Sequence, residues 1–177
     1  MNKQNFLQQF QLNPIVGYHP ESIERVAQFR DEDLRQAAVV VGLVERNNEL
    51  NVIFTKRAAH LKHHPGQVSF PGGKYEQSDP SLQHTALREL QEEIGYGAKK
   101  LTHLMELSLA PGYFASKMQI FLAEDLYQSE LEGDEPEPID IVPWPLELWQ
   151  DLLQEQDFSE SRSVSALFLA QKHLQLK

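Results

Sequence analysis

The densest apolar run is "AAVVVGLV", residues 37–44. It is β-branched and shows no polar alternation, which predicts a strand buried on both faces. "NNEL" predicts a turn at residues 47–50, and "NVIFT" a second strand at 51–55, making a hairpin. "HHPGQVSFPGG" reads as loop, a short strand at 67–70, then loop again. The period then lengthens. Asp79 suits a helix cap, Pro80 its first position and Gly95 its stop. Leu87, Leu90 and Ile94 recur at i, i+3 and i+7, one helical face, which the polar Gln83 interrupts a turn earlier. Strands return at 101–109, in "MQIFLAED" from Met118, and in "IDIVPW" at 139–144, where Pro143 and Pro145 are expected to end the strand. "LELWQDLLQE" and "SVSALFLAQKHL" predict two closing helices, and short helices are expected at 5–10 and 21–30. Strands, a central helix and closing helices predict a mixed α/β layered domain. A single domain is expected over residues 1–177, with the acidic, Pro-broken "SELEGDEPEPID" as a loop inside it.

Charge changes this picture in one place. The net charge of −10 argues against nucleic acid and anionic membrane as partners. Yet Leu50 to Tyr75 holds no Asp or Glu, while Lys56, Arg57, His60, Lys62, His63, His64 and Lys74 fall within it. Such an island would draw an anionic small molecule; chance clustering on an exposed loop is the alternative. There is no Cys, so disulfide and thiolate chemistry are excluded, and His60, His63 and His64 lack the spacing of a structural zinc site. No apolar run is long enough to span a membrane, and the N-terminal segment has no signal-like core, so a cytoplasmic protein is expected.

The chemistry concentrates in "RELQEEIGY", residues 88–96. A helix advances about 100° per residue. Glu89, Glu92 and Glu93 then share one arc, roughly opposite the leucine face. Like charges at this spacing destabilise a helix by a few tenths of a kcal/mol each. A divalent cation with hard-oxygen preference, Mg²⁺ or Mn²⁺, removes that cost and bridges to phosphate. Arg88 can orient a carboxylate by a charge-assisted bond. Three acids on a helix also describe an ordinary solvated face. The context narrows the choice, because Gly72 and Gly73 lie just upstream, where the backbone can turn and approach a ligand.

The stretch "GGKYEQSDPSLQHTALRELQEEIGY" resembles the Nudix box: Gly, five residues, Glu, seven residues, then Arg-Glu-apolar-x-Glu-Glu-x-Gly-apolar. Arg88 through Tyr96 match fully; Asp79 stands where Glu is usual, and eight residues rather than seven separate it from Arg88. The resemblance implies an α/β/α Nudix sandwich with a mixed sheet and a catalytic loop-helix. It also implies metal-assisted hydrolysis of a nucleoside diphosphate derivative, with Glu89, Glu92 and Glu93 as metal ligands and Arg88 and Glu93 in the catalytic set.

The flanks resemble different branches of that family. "IFTKRAAHLKHHPGQVSFPGG" is similar to the coenzyme A pyrophosphatase motif, with Thr55, Arg57, Ala58, Gly66, Phe70, Pro71, Gly72 and Gly73 in register. Lys62 replaces the second Arg, keeping the charge but losing the bidentate fork. Residues 95–177 instead resemble the ADP compounds hydrolases, including Pro111 sixteen positions after Gly95. The chain therefore reads as a mosaic, coenzyme A type over 5–95 and ADP compounds type beyond. The resemblance implies a substrate surface of Arg57, Lys62, Gly66, Phe70, Gly72, Gly73 and Pro111, and Glu135 or Glu137 as a further acid from the loop. Tyr113 and Phe114 are candidates to stack on adenine or to be a buried pair, and Trp144 and Trp149 are expected to pack.

The expectation is a metal-dependent pyrophosphohydrolase of an ADP-containing metabolite, with coenzyme A favoured because its motif adjoins the helix. ADP-ribose, NADH or diadenosine polyphosphates are the alternative. A non-catalytic nucleotide-binding module is the rival of another class, but it would be expected to have lost box carboxylates. The ADP compounds branch also suggests a homodimer.

Overall fold

The computed structural model describes residues 35–61, 64–109, 116–133 and 139–175. The two helices expected at 5–10 and 21–30 lie outside these residues, as do Lys62, Pro111, Tyr113, Phe114, Glu135 and Glu137.

The apolar run becomes β1 (Arg35–Arg46) and the second run β2 (Glu49–Lys56). They pair antiparallel from Gly42↔Ile53 to Arg46↔Glu49. Asn47 and Asn48 make the turn with φ of 54° and 62°. Two positive values in a two-residue loop match the strands' twist, and Asn tolerates that conformation. Strand β3 (Val68–Ser69) then pairs with β2. Strand β4 (Gly72–Lys74) pairs with β1 through Ala38↔Gly73 and Val39↔Gly72. The sequence alone predicts loop at this last segment, because two glycines carry no side-chain signal for a strand.

Helix α1 (Leu82–Ile94) leads into β5 (Tyr96–Ser108), which pairs antiparallel with β6 (Ser116–Gln128). Strand β6 runs parallel to β1, so the sheet is mixed. Strand β7 (Asp140–Pro145) lies along β2. Thr55 pairs with both Ser69 and Ile141, so β3 and β7 flank opposite sides of β2. Val39 pairs with both Gly72 and Ile120, so β4 lies on the side of β1 away from β6. Beyond the hairpin, β1 and β2 therefore part, and the β3–β4 segment fills the wedge.

Two corrections concern the C-terminal part. Pro143 does not stop the strand but sits within β7, opposite Ile53; the strand ends, as expected, at Pro145, its last residue, opposite Asn51. Two positions apart, the missing N–H groups of the two prolines face the same way, and β7 pairs only with β2 among the described strands. The helix expected at 146–155 shrinks to a 3₁₀ turn (Leu146–Leu148) and α2 (Trp149–Leu152). The closing helix appears as α3 (Ser161–Gln175).

The sheet separates two apolar layers. Val39, Val41, Phe54, Ile120 and Leu122 face α3 through Ala166, Leu167 and Ala170. Ala38, Val40, Ile53, Phe121 and Ala123 face α1 through Ala86, Leu90 and Ile94. Helices cover both faces, which is why β1 shows no polar alternation. Trp144 and Trp149 pack against the α3 layer, as expected of them.

Candidate active site

Helix α1 is positioned by its ends and its apolar side. Ser81, not Asp79, is the N-cap: its hydroxyl accepts from the His84 N–H. Gly95 takes the left-handed conformation at φ 74° and returns its N–H to the carbonyls of Leu90 and Gln91. The buried positions are Thr85, Ala86, Leu90 and Ile94, so the docking line steps by four through Ala86. Leu87, expected on that line, is only half-buried. With α1 held this way, Arg88, Glu89, Glu92 and Glu93 occupy its flank and stay half-buried.

Arg88 is the hub of that flank. Its Nε donates to Asp79 Oδ1 at 3.2 Å, and its Nη2 to Asp79 Oδ2 at 3.3 Å. Nη1 reaches Glu92 Oε2 at 2.8 Å. Nη2 also meets Glu89 Oε1 at 2.9 Å and the Lys74 carbonyl at 3.1 Å. Asp79, 6% exposed, further accepts from the Thr85 hydroxyl at 2.9 Å and the Glu76 N–H at 3.2 Å. Burial works against the Asp79 charge, yet hydrogen bonds from Arg88, Glu76 N–H and Thr85 hold its carboxyl below the ordinary range. Burial also opposes the Arg88 charge, and the Asp79 bond with the Glu89 and Glu92 charges raises its pKa all the same. The guanidinium thus offsets the repulsion between the carboxylates and fixes their spacing. These partners make Arg88 a holder of acids.

Glu89 also fits against the glycine strand. A Cβ on Gly73 would overlap Glu89 Oε1 and lie 2.5 Å from its Cδ. The β4 glycine is therefore the space in which this carboxylate rests. At Gly72 a Cβ would strike the Ala38 carbonyl and lie 2.8 Å from Val39 Cα, so that glycine serves the pairing of β1 with β4.

A family model described as NUDIX domain matches residues 33–168. The chain belongs to the Nudix family. Over 94 residues, 53% of this chain and 50% of the relative, it is 56% identical to the ADP compounds hydrolase NudE of Escherichia coli (strain K12). Over 111 residues, 61% of this chain and 54% of the relative, it is 37% identical to an uncharacterized Nudix hydrolase NudL of Yersinia pestis (strain Pestoides F). The matches span about half the length of these curated relatives. Two groups of relatives each align with part of this chain, in keeping with its mosaic resemblance. Among solved structures, a crystal structure of ADP compounds hydrolase superposes with a TM-score of 0.71 at 43% identity, covering 80% of this chain and 73% of that one. The NUDIX domain of Shewanella oneidensis NrtR, solved with ADP ribose, covers 98% of this chain and 99% of its own with a TM-score of 0.62. At 20% identity that likeness shows the fold alone.

Nudix hydrolases generally need a divalent metal, and the donor type in this chain fits one. The cluster is made of carboxylate oxygens, without thiol or imidazole, as a hard cation prefers. Among the described residues, no group of three His, Cys, Asp or Glu side chains is already gathered as a metal cage. Glu89 and Glu92 converge on the Arg88 guanidinium instead. Glu92 and Glu93 also line a cavity of about 630 Å³ with Tyr96, Ser129, Glu130 and Ile141.

The other expected substrate residues are placed unevenly. Phe70 is 3% exposed, with its ring 4.3 Å from that of Phe54. Its side chain belongs to the core, which corrects the expectation that it faces a ligand. Gly66 adopts φ 69° in the turn before β3, and the Arg57 N–H bonds the Gln67 carbonyl across that turn. Lys56, part of the basic island, is claimed by Asp157 at 2.9 Å, a partner 101 positions away. Thr85 was missed: the only sequence cue was a lone hydroxyl at the start of "TALRELQEEIG", on the side that turns inward.

Proposed function

We propose that the protein is a pyrophosphohydrolase of the ADP compounds hydrolase type, a single Nudix domain using Mg²⁺ or Mn²⁺. The observation that carries this reading is the 56% identity to an ADP compounds hydrolase over 94 residues, in a chain that keeps Glu89, Glu92 and Glu93. The preference for coenzyme A is corrected. Sequence and structure comparison both lead to ADP compounds hydrolases, whereas the second group of relatives is uncharacterized.

A bound divalent cation supplies charge neutralisation of the diphosphate and a more acidic water. The chain's own part is positional. Arg88 holds Glu89 and Glu92 at set distances, and β4 lets Glu89 lie against Gly73. Glu93, which lines the cavity, is the candidate to hold a ligand or take the water's proton. Water oxygen adds to one phosphorus and the bridging P–O bond breaks. ADP-ribose would yield AMP and ribose 5-phosphate.

The test incubates the protein with Mg²⁺ or Mn²⁺ and ADP-ribose, NADH, diadenosine triphosphate or coenzyme A, and separates products by chromatography. AMP from the first three, with coenzyme A turned over far more slowly, is the expected result. Coenzyme A as the best substrate overturns the substrate assignment, and no turnover of any overturns the enzyme reading.

A further inference from the structure

Thr85 is fully buried in α1, beside Ala86 on the side that docks against the sheet. An apolar residue would suit that place at no hydrogen-bonding cost, whereas a buried hydroxyl needs a partner. Its Oγ1 lies 2.9 Å from Asp79 Oδ2 and 3.4 Å from the Ser81 carbonyl. A hydroxyl has one proton, and the shorter contact to a charged acceptor takes it. Asp79 Oδ2 thereby receives Thr85, the Glu76 N–H and Arg88 Nη2, while Oδ1 receives Arg88 Nε. These bonds fix the plane of a short carboxylate, and that plane sets the guanidinium side-on. The same guanidinium sets Glu89 and Glu92.

We propose that Thr85 is a positioning residue for the carboxylate cluster: through Asp79 and Arg88 it sets Glu89 and Glu92 for a divalent cation. The role belongs to this chain's version of the box, in which the anchoring acid is the shorter Asp79 and lies one residue farther from Arg88. It rests on the hydrolase reading proposed for the site.

The test measures Mn²⁺ binding without substrate, by the electron paramagnetic resonance of free Mn²⁺. The proteins are wild type, Thr85→Val, Thr85→Ser, Asp79→Asn and the Thr85→Val/Asp79→Asn double variant. Thermal unfolding, and kcat and KM for ADP-ribose, are read alongside. Val keeps the shape and loses the donor; Ser keeps the donor. Thr85→Val is expected to weaken Mn²⁺ binding about tenfold, the usual scale for a partner behind a metal ligand. KM for ADP-ribose should stay within about twofold, and the loss in kcat should recover as Mn²⁺ is raised. Thr85→Ser should match wild type. The double variant should bind no worse than Asp79→Asn, because both act through one chain of bonds. If Val is not accommodated, Thr85→Ala carries the same expectation. Wild-type Mn²⁺ affinity in both Thr85→Val and Thr85→Ala overturns the proposal, as does strict additivity with Asp79→Asn. A wild-type protein that binds no Mn²⁺ overturns the hydrolase reading itself, and this proposal with it.

Discussion

Gly72 and Gly73 are neighbours on one short strand, yet alanine at each should fail differently. At Gly73 the atoms nearest the new methyl all belong to the end of the Glu89 side chain, with Cδ at 2.5 Å and Oε2 at 2.7 Å. Ordinary carbon–carbon contact needs about 3.5 Å or more, so the carboxylate must move by about 1 Å. Rotating a side chain is cheap for the fold. The lost Glu89–Arg88 bond is partly offset by the lower unfolded-state entropy of Ala, leaving a net change within about 1 kcal/mol. A 1 Å displacement is ruinous for positioning, of order a hundredfold in rate. At Gly72 the methyl meets backbone, the Ala38 carbonyl and Val39 Cα, which cannot move unless β4 parts from β1. That variant should lose about 2–3 kcal/mol of stability. The assay pairs urea denaturation with initial rates of AMP release from ADP-ribose at saturating Mg²⁺. Gly73→Ala should keep its midpoint and lose about two orders of magnitude in kcat; Gly72→Ala should lose its midpoint. Near-wild-type turnover by Gly73→Ala would refute the placement of Glu89 in the reaction.

Glu93→Gln should cut kcat by about a hundredfold or more with an unchanged unfolding midpoint, and normal turnover would remove Glu93 from the site. Phe158 is 3% exposed, with its ring 5.2 Å from that of Phe54, so Phe158→Ala should cost about 3–4 kcal/mol by urea denaturation. The folded Asp79 carboxyl titrates below its unfolded value of about 3.9, so the unfolded chain binds more protons between the two values. The stability this group contributes is complete above that value and is lost as pH falls through the folded one. Thermal midpoints of Asp79→Asn should therefore fall less steeply than wild type as the pH is lowered below about 4. A parallel fall in both proteins would show that Asp79 does not carry this term.

Much of this was legible one residue at a time. The run at 37–44, the Asn47–Asn48 turn, Gly95 and the final helix follow from rules acting within a few residues, and each appears in the fold. That Glu89, Glu92 and Glu93 share one flank of the helix follows likewise from helical pitch. Failures came where distant segments decide. Asp before Pro suits a helix cap, but the folded chain offers Asp79 the partners Arg88 and Thr85, and Ser81 caps instead. The motif around Phe70 suggests a ligand contact, but Phe54 gives its ring a core to enter.

The helix–carboxylate motif, the family and the layered α/β plan are legible in the chain alone, because periodicity and short-range steric rules need no partner. It took the folded chain to make Gly72–Lys74 a strand, to give Glu89 the space at Gly73, and to set an Asp–Arg–Thr network behind the acids. Those outcomes depend on which backbone lies within a few ångströms after folding. Excluded volume and the need to satisfy buried charges act across that distance, whatever the separation along the chain.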